Sequence, residues 1–225
     1  MKVIGITDIH GDVKNIDRVF DHCGEVDCTL ISGDLTHFGH AEQARAVIDQ
    51  VRRRCPQVFA VSGNCDHPDV EAYLVEEKIS LHQSHHLLPD FALAGMGKAL
   101  PGPVPTPNET DEAEFAQGLE RAVQLLAKEL PLLLVIHQPP FHTLNDRILF
   151  GKHVGSQSIR RFIEMRQPEL VFCGHIHEGR GIDTIGASRI INPGPLAKGH
   201  YSYAEPAESG RSEEHTSELQ SRFGI

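Results

Sequence analysis

The stretch VIGITDIH, residues 3–10, joins a short apolar run to two residues that can bind a metal ion. Read as a buried strand, the run delivers Asp8 at its end, and His10 follows two positions later. Side chains alternate along an extended backbone, so both side chains can point into one cleft. An isolated Asp-x-His pair is a weak signal, but its place directly after an apolar strand makes it a candidate metal site.

The same arrangement recurs four times along the chain. Further apolar runs end in Gly33-Asp34, in Gly63-Asn64, in His137 and in Gly174-His175-Ile176-His177. Read as buried parallel strands, the five runs place their terminal residues on the same edge of one sheet, where ligands bind in open α/β proteins. We therefore expect a cluster there, sufficient for two metal ions that share one carboxylate, made of Asp8, His10, Asp34, Asn64, His137, His175 and His177.

The ordered series of motifs resembles the calcineurin-like metallophosphoesterase superfamily from Lys2 to about Tyr203. It is most similar to small bacterial and archaeal phosphoesterases with Gly-Asn-Cys-Asp at the third motif, here residues 63–66. Three further segments resemble that branch: GDLT at 33–36, HQPP at 137–140 and NPGP at 192–195. The resemblance implies an α/β fold, a two-sheet αββα sandwich in one domain, and the hydrolysis of phosphate esters, with small phosphodiesters expected first.

The resemblance also implies how the ligands divide between two divalent ions. Asp8, His10, Asp34 and His177 would hold one ion, and Asp34, Asn64, His137 and His175 would hold the other. This nitrogen and oxygen set suits Mn²⁺, which we expect first, with Fe, Zn²⁺ or Ni²⁺ as alternatives. A hydroxide bridging the ions would attack phosphorus, so that Asp34 and Asn64 would serve catalysis as well as metal binding.

Cys65 departs from the pattern of the wider superfamily. Many members carry Gly-Asn-His there, and that histidine binds phosphate or protonates the leaving oxygen. A thiol bonds weakly and ordinarily has a pKa of about 8.5, so Cys65 is a poor substitute. His67 is the nearest replacement as a catalytic acid; alternatively, it is a surface residue before Pro68 and leaving-group protonation is dispensed with.

The remaining sequence alternates strand and helix, which indicates an α/β layered sheet. Apolar residues at helical spacing predict helices over 13–22, 41–54, 111–129 and 156–167. Further strands are expected over 91–94, 182–186 and 189–192, the last two antiparallel. The proline-rich stretch 101–107 predicts a stiff surface loop, and 138–155 a long loop that shapes substrate access.

Length and composition narrow the class of protein. The chain has 225 residues and a net charge of −10, which fits one soluble domain and a small phosphorylated substrate, and disfavours long nucleic acid or an anionic membrane. No apolar run approaches the roughly 18 residues of a membrane span. The chain opens directly into a strand, and its five cysteines lack CxxC spacing, so we expect a reducing cytoplasm.

Two alternatives and one boundary stay open at this point. A non-catalytic scaffold on the same fold would bind protein partners, and a nuclease would cleave DNA or RNA. Residues 211–225 include RSEEHTSELQS, which matches the translation of a common sequencing adapter. We therefore expect the metallophosphoesterase domain to span 1–210, and residues 211–225 to form a non-native tail.

Overall fold

The computed structural model describes residues 1–126, 130–206 and 219–224, and for residues beyond 204 the backbone alone. Its strands are β1 (Val3–Ile6), β2 (Cys28–Ser32), β3 (Val58–Val61), β4 (His85–Leu87), β5 (Ala92–Met96), β6 (Leu132–Ile136), β7 (Leu170–Phe172), β8 (Gly181–Ile185), β9 (Ser188–Asn192), β10 (Tyr201–Pro206) and β11 (Leu219–Gly224). Its helices are α1 (Ile16–Cys23), α2 (Ala41–Arg52), α3 (Pro68–Glu76), α4 (Glu112–Val123) and α5 (Gln157–Arg166).

The strands form two mixed sheets. The first has the order β11-β10-β1-β2-β3, with β1, β2 and β3 parallel. The second has the order β4-β5-β6-β7-β9-β8, with β5, β6, β7 and β9 parallel. The expected antiparallel pairing of the two C-terminal strands of this sheet, β8 and β9, is confirmed.

Three apolar clusters define four layers. One cluster lies between the first sheet and helices α1, α2 and α3, where Val19, Ile48 and Leu74 are buried. A second lies between the two sheets and includes Leu30 and Phe172. A third lies between the second sheet and helices α4 and α5. The expected α/β fold, a two-sheet αββα sandwich in a single domain, is therefore confirmed.

The expectation that all five ligand-tipped strands lie in one sheet is wrong. The strands before Asp8, Asp34 and Asn64 belong to the first sheet, whereas those before His137 and His175 belong to the second. The alternation of strand and helix is a local signal and does not reveal which strands pair. The ligand-bearing ends still meet, because the carboxyl ends of both sets of parallel strands lie at the same end of the sandwich.

Helix boundaries differ from the sequence expectation where local caps intervene. The predicted helix over 13–22 begins as a 3₁₀ turn, Val13–Asn15, whose first turn is capped by Asp12. The helix expected over 156–167 is shorter because the Ser156 side chain accepts the Ile159 N–H and Gln167 adopts a left-handed conformation. Helix α4 ends at Val123, and residues 127–129 of the helix expected over 111–129 lie outside the described residues.

Part of the predicted tail forms a strand in the structure. Strand β11 pairs antiparallel with β10 at the edge of the first sheet. An edge strand offers unpaired backbone groups to any extended segment, so this pairing does not bear on the origin of residues 211–225. Residues 207–218 and 225 lie outside the described residues, and the boundary at 210 stays a prediction. In the part of the chain that is described, no helix has the length and apolar character needed to cross a membrane.

Candidate metal centre

The residues expected to bind metal stand in turns at the strand ends, in an unusual backbone conformation. Asp8, His10, Asp34 and His175 have φ values of 52°, 49°, 51° and 66°. Positive φ is uncommon for residues other than glycine, and such strain gathers at functional sites. Hydrogen bonds between the turns stabilise this backbone conformation. The N–H groups of Ile9 and His10 both donate to the Asp34 carbonyl, each at 2.9 Å.

The first group of side chains surrounds Asp8. His177 Nε2 lies 3.3 Å from Asp8 Oδ1, and the His10 and His177 rings are 5.7 Å apart. The ligand atoms of Asp8, His10 and His177 all lie within 4.8 Å of one another, which is compact enough for one ion. His10 Nδ1 lies 3.3 Å from the Thr36 carbonyl, so that this nitrogen carries the proton and Nε2 is free for a metal.

The second group surrounds His137, which is fully buried. Its Nε2 atom lies 2.9 Å from Asn64 Oδ1 and 3.5 Å from Asp34 Oδ1. The ring of His175 is 5.1 Å from the ring of His137. His137 Nδ1 lies 2.7 Å from the Ser32 carbonyl, which makes Nδ1 the protonated nitrogen.

Asp34 stands between the two groups. Its Oδ2 atom lies 3.7 Å from His10 Nε2, on the Asp8 side, while its Oδ1 atom faces His137. The Cys65 N–H donates to Oδ1 at 2.8 Å and fixes the rotation of the carboxylate. Each oxygen of Asp34 therefore faces a different group of imidazoles.

The second group fits a divalent cation by the chemistry of its donors. When the His137 ring is neutral and Nδ1 donates to Ser32, the lone pair of Nε2 faces two oxygen acceptors, from Asn64 and Asp34. Acceptors gathered in a buried space repel one another unless a positive charge lies among them. A divalent ion with nitrogen and oxygen ligands satisfies all three.

The pKa shifts of the cluster also favour a bound cation. Burial alone would lower the pKa of His137, but the charges of Asp34 and Asp8 raise it to about 9. Burial alone would raise the pKa of Asp34, but His137 and His10 hold it well below its usual range. Burial and the neighbouring His137 lower the pKa of His175 to about 4, so its ring is neutral, as a ligand must be. The cluster thus stabilises positive charge between its carboxylates.

Two glycines are required by the space around the cluster. A Cβ atom on Gly63 would overlap the Asp34 carboxylate, and a Cβ on Gly174 would overlap the Thr7 hydroxyl and crowd Asp8. Gly63 allows the ends of β2 and β3 in the first sheet to approach one another, and Gly174 allows the ends of β7 and β1 to do so across the two sheets. Their place directly before Asn64 and His175 explains why the sequence motifs begin with glycine.

The buried carboxylate of Asp66 joins the ends of β2 and β3. It accepts the N–H groups of Leu35, Thr36 and Gly63 at 3.1, 2.8 and 2.8 Å, and the Thr36 hydroxyl at 2.8 Å. Burial and the nearby Asp34 charge raise its pKa to about 6. Asp66 therefore sets the spacing between the turns that carry Asp34 and Asn64.

Two buried asparagines hold the other ligand-bearing turns. Asn108, from the loop after the proline-rich stretch, donates through Nδ2 to the Gly63 carbonyl at 3.0 Å and to the Ser62 hydroxyl at 3.2 Å. Asn192 donates to the Ile176 carbonyl at 2.9 Å, between His175 and His177. Sequence reasoning singled out the NPGP segment but missed Asn108, because no strand or helix pattern marks it.

The two side chains that could bear on proton donation differ in burial. Cys65 is nearly buried, and its sulfur lies within 4.8 Å of the ligand atoms of His10 and Asp34. Burial and the Asp34 charge raise the pKa of this thiol well above its usual value. His67 is partly exposed and stacks on His40, with ring centroids 4.1 Å apart. Its part as a catalytic acid stays a prediction.

The long loop after His137 is organised around a buried carboxylate, that of Asp146. It accepts the N–H groups of His142 and Thr143 at 3.0 and 2.9 Å, and His153 Nδ1 lies 2.7 Å away. The ring of His142 packs 4.7 Å from that of His153. The loop is therefore an ordered structure held from within.

Comparison with known proteins finds similarity along most of the chain. The family model described as a calcineurin-like phosphoesterase superfamily domain matches residues 1–205. An uncharacterized protein of Methanocaldococcus jannaschii, MJ1162, is 36% identical over 201 residues, which cover 87% of this chain and 88% of that protein. The match therefore extends over nearly the whole length of both proteins.

Solved structures share the fold at low sequence identity. The structure of TT1561 from Thermus thermophilus aligns with a TM-score of 0.70 at 18% identity, covering 99% of this chain and 97% of that one. A purple acid phosphatase from yellow lupin aligns with a TM-score of 0.51 at 11% identity, covering 89% of this chain and 44% of that one. The family match, supported by this common architecture, shows that the chain belongs to the calcineurin-like phosphoesterase superfamily.

Proposed function

We propose that the protein is a dinuclear metal-dependent phosphoesterase that hydrolyses small phosphate esters, phosphodiesters first. Membership of the superfamily supports phosphoester hydrolysis with a divalent metal in general. The observation that carries the dinuclear proposal is the placement of Asp34, whose two oxygens face different groups of imidazoles. One carboxylate shared in this way would contribute an oxygen to each of two ions.

In this proposal, Asp8, His10, Asp34 and His177 hold one ion, and Asp34, Asn64, His137 and His175 hold the other. When bound, two divalent ions supply an acidified water as the nucleophile and neutralise charge on the phosphoryl oxygens. The Ser32 and Thr36 carbonyls keep His137 and His10 in the tautomer that presents Nε2. Mn²⁺ is the first candidate, because the set joins carboxylate and amide oxygens to imidazoles.

The side chains of the centre differ in exposure, and this suggests where substrate enters. His137 is buried completely, whereas the side chains of His10 and His177 are 22% and 40% exposed. A phosphate ester would approach from the side of these two residues. Asn64 would orient the phosphoryl group. The leaving oxygen would depart without a strong proton donor, and His67 is the alternative donor.

Charge, free cysteines and the predicted ligand set bear on the alternatives to this proposal. The net charge of −10 favours a small ester over a long polyanion, against the nuclease alternative. All five cysteines are free thiols, and this is consistent with the proposed cytoplasmic location. A non-catalytic scaffold would be expected to have lost some of the metal-binding residues. In this chain all seven expected ligand residues are present.

Chelation and metal restoration test the proposal directly. Protein freed of metal should not hydrolyse bis(p-nitrophenyl) phosphate, and added Mn²⁺ should restore turnover, with two ions per chain by elemental analysis. Asp27→Asn is the matched control for ligand variants, since Asp27 accepts the Lys2 N–H where β1 and β2 begin, at the ends opposite to those that carry Asp8 and Asp34. Full turnover with metal absent would overturn the proposal. Two bound ions without hydrolysis across a panel of phosphate esters would favour the scaffold.

A further inference from the structure

Phe38 is a large apolar residue held partly in solvent beside the metal centre. Its side chain is 45% exposed and its φ is 55°, the left-handed region that bulky residues rarely adopt. The turn is fixed on both sides, because the Gly39 N–H donates to the Thr36 hydroxyl at 3.1 Å and the Gly39 carbonyl accepts the His67 N–H at 3.1 Å. The fold thus sustains a strained backbone that presents a phenyl ring outward.

The ring of Phe38 is linked to the centre through His37. The His37 ring packs edge-on against Phe38, with centroids 4.8 Å apart, and edge-on against His10 at 5.5 Å. Thr36, the residue before His37, provides the carbonyl that orients the His10 ring. His10, His37 and Phe38 therefore form a continuous row of rings that starts at a predicted metal ligand.

The row lies on the side of the centre that is open to substrate. His10 is partly exposed, whereas Asp34, Asn64 and His137 of the second group are buried. Both His37 and Phe38 are exposed and follow the Asp34 turn within four residues. A group attached to phosphorus near His10 would therefore lie next to these two rings.

Resting on the proposed phosphoesterase function, we propose that His37 and Phe38 form an aromatic wall that selects phosphate esters carrying a planar aromatic group, such as an aryl or nucleobase substituent. Aromatic rings pack on one another in offset or edge-on arrangements and gain more than their buried area alone provides. Bases stack on such rings with little regard to sequence, which suits small nucleotides as well as aryl esters. The wall confers specificity, and the metal centre carries out the reaction.

Two phosphonates without a leaving group isolate the effect of the wall. Benzylphosphonate and cyclohexylmethylphosphonate carry the same charged group and rings of similar size, and only the first ring is planar. Their dissociation constants for the Mn²⁺-loaded protein are measured by calorimetry, with methylphosphonate as the reference. We expect benzylphosphonate to bind about five-fold more tightly than cyclohexylmethylphosphonate.

Variants of the wall and of a second exposed phenylalanine complete the experiment. Phe38→Leu should bring the two dissociation constants together, and Phe38→Tyr should keep them apart. Phe150→Leu is the matched control, because Phe150 is also exposed at a positive φ of 63° but lies in the loop after His137. It should leave the preference unchanged.

The outcomes separate this inference from the function on which it rests. If methylphosphonate binds the metal-loaded protein but the two ring compounds bind equally, the wall is wrong while the phosphoesterase proposal stands. The wall is equally refuted if Phe38→Leu retains the preference, or if Phe150→Leu removes it. If no phosphonate binds, the wall is refuted, and the phosphoesterase proposal fails only if the metal-loaded protein also does not hydrolyse bis(p-nitrophenyl) phosphate. A preference that Phe38→Leu abolishes and Phe38→Tyr keeps supports the wall.

Discussion

The Nδ1 atom of His137 lies 2.7 Å from the carbonyl oxygen of Ser32, and this bond crosses from one sheet to the other. His137 follows β6 in the second sheet, and Ser32 ends β2 in the first. The bond fixes the tautomer of the neutral ring, in which the remaining nitrogen faces Asn64 and Asp34 with its lone pair. A backbone carbonyl thus decides which atom of His137 is offered to a metal.

Asp34→Asn should be among the most damaging single changes. The amide keeps the shape of the side chain but removes the charge that both groups of imidazoles share. We expect the turnover of bis(p-nitrophenyl) phosphate to fall by at least about 100-fold, with fewer than two ions retained per chain. Steady-state kinetics and elemental analysis of the same sample measure both effects. Wild-type turnover and metal content would refute the bridging role of Asp34.

Cys65→His should alter the response to the leaving group. A buried thiol of raised pKa is a poor acid, so rates should depend steeply on leaving-group pKa. Proton donation is typically worth about 10²–10⁴-fold, and a histidine at this position should flatten the dependence. Rates across a series of aryl and alkyl phosphodiesters measure the slope. A flat wild-type slope that becomes steep in His67→Ala would show instead that His67 is the acid.

Asn108→Ala should weaken metal binding without touching a predicted ligand. The change removes the amide that donates to the Gly63 carbonyl and the Ser62 hydroxyl, so the turn that carries Asn64 loosens. Loss of such support typically costs about 10–100-fold in metal affinity, and calorimetric titration with Mn²⁺ measures it. Thr106→Val is the control, because it removes a 2.8 Å bond to Glu109 within the same loop. Equal affinities in the two variants would refute a positioning role.

His82 should make folding stability sensitive to acid. Its Nδ1 atom accepts the Gly97 N–H at 3.0 Å, and burial lowers its pKa. The folded state therefore favours the neutral ring, so this stability is present above the unfolded pKa of about 6.5 and is lost as the pH falls through the folded pKa. His82→Asn supplies an acceptor that does not titrate, and it should lose less stability than the wild type between pH 7.5 and 5. Urea unfolding at both pH values measures the difference, and identical losses would exclude His82.

The predicted ligands could be found from sequence because each follows a buried apolar strand, and strand ends are where open α/β sheets bind ligands. The structure brings all seven side chains into two adjoining groups, and their role as metal ligands stays a prediction. Their distribution between two sheets was not predictable from local patterns. Pairing of strands depends on contacts between residues far apart in the chain, which periodicity does not encode.

The sequence analysis did not predict several other features, for reasons that the structure makes clear. Helix α3 was not predicted, although Pro68 at its first position and Asp69 in its first turn are typical of a helix start. Asn108 lies in a loop, where only its contacts with Ser62 and Gly63 reveal its part. The aromatic neighbours of Phe38 likewise become visible only once the turn at Gly39 has placed the rings together.

Because the predicted ligands come from both sheets, ions bound among them would cross-link the two sheets at one end of the sandwich. Apolar packing holds the middle of the interface between the sheets, as around Leu30 and Phe172. Any ion that binds the folded protein and not the unfolded chain adds its binding free energy to stability. The supply of metal would then govern the lifetime of the protein against proteolysis, and cells starved of it would lose the molecule as well as its activity.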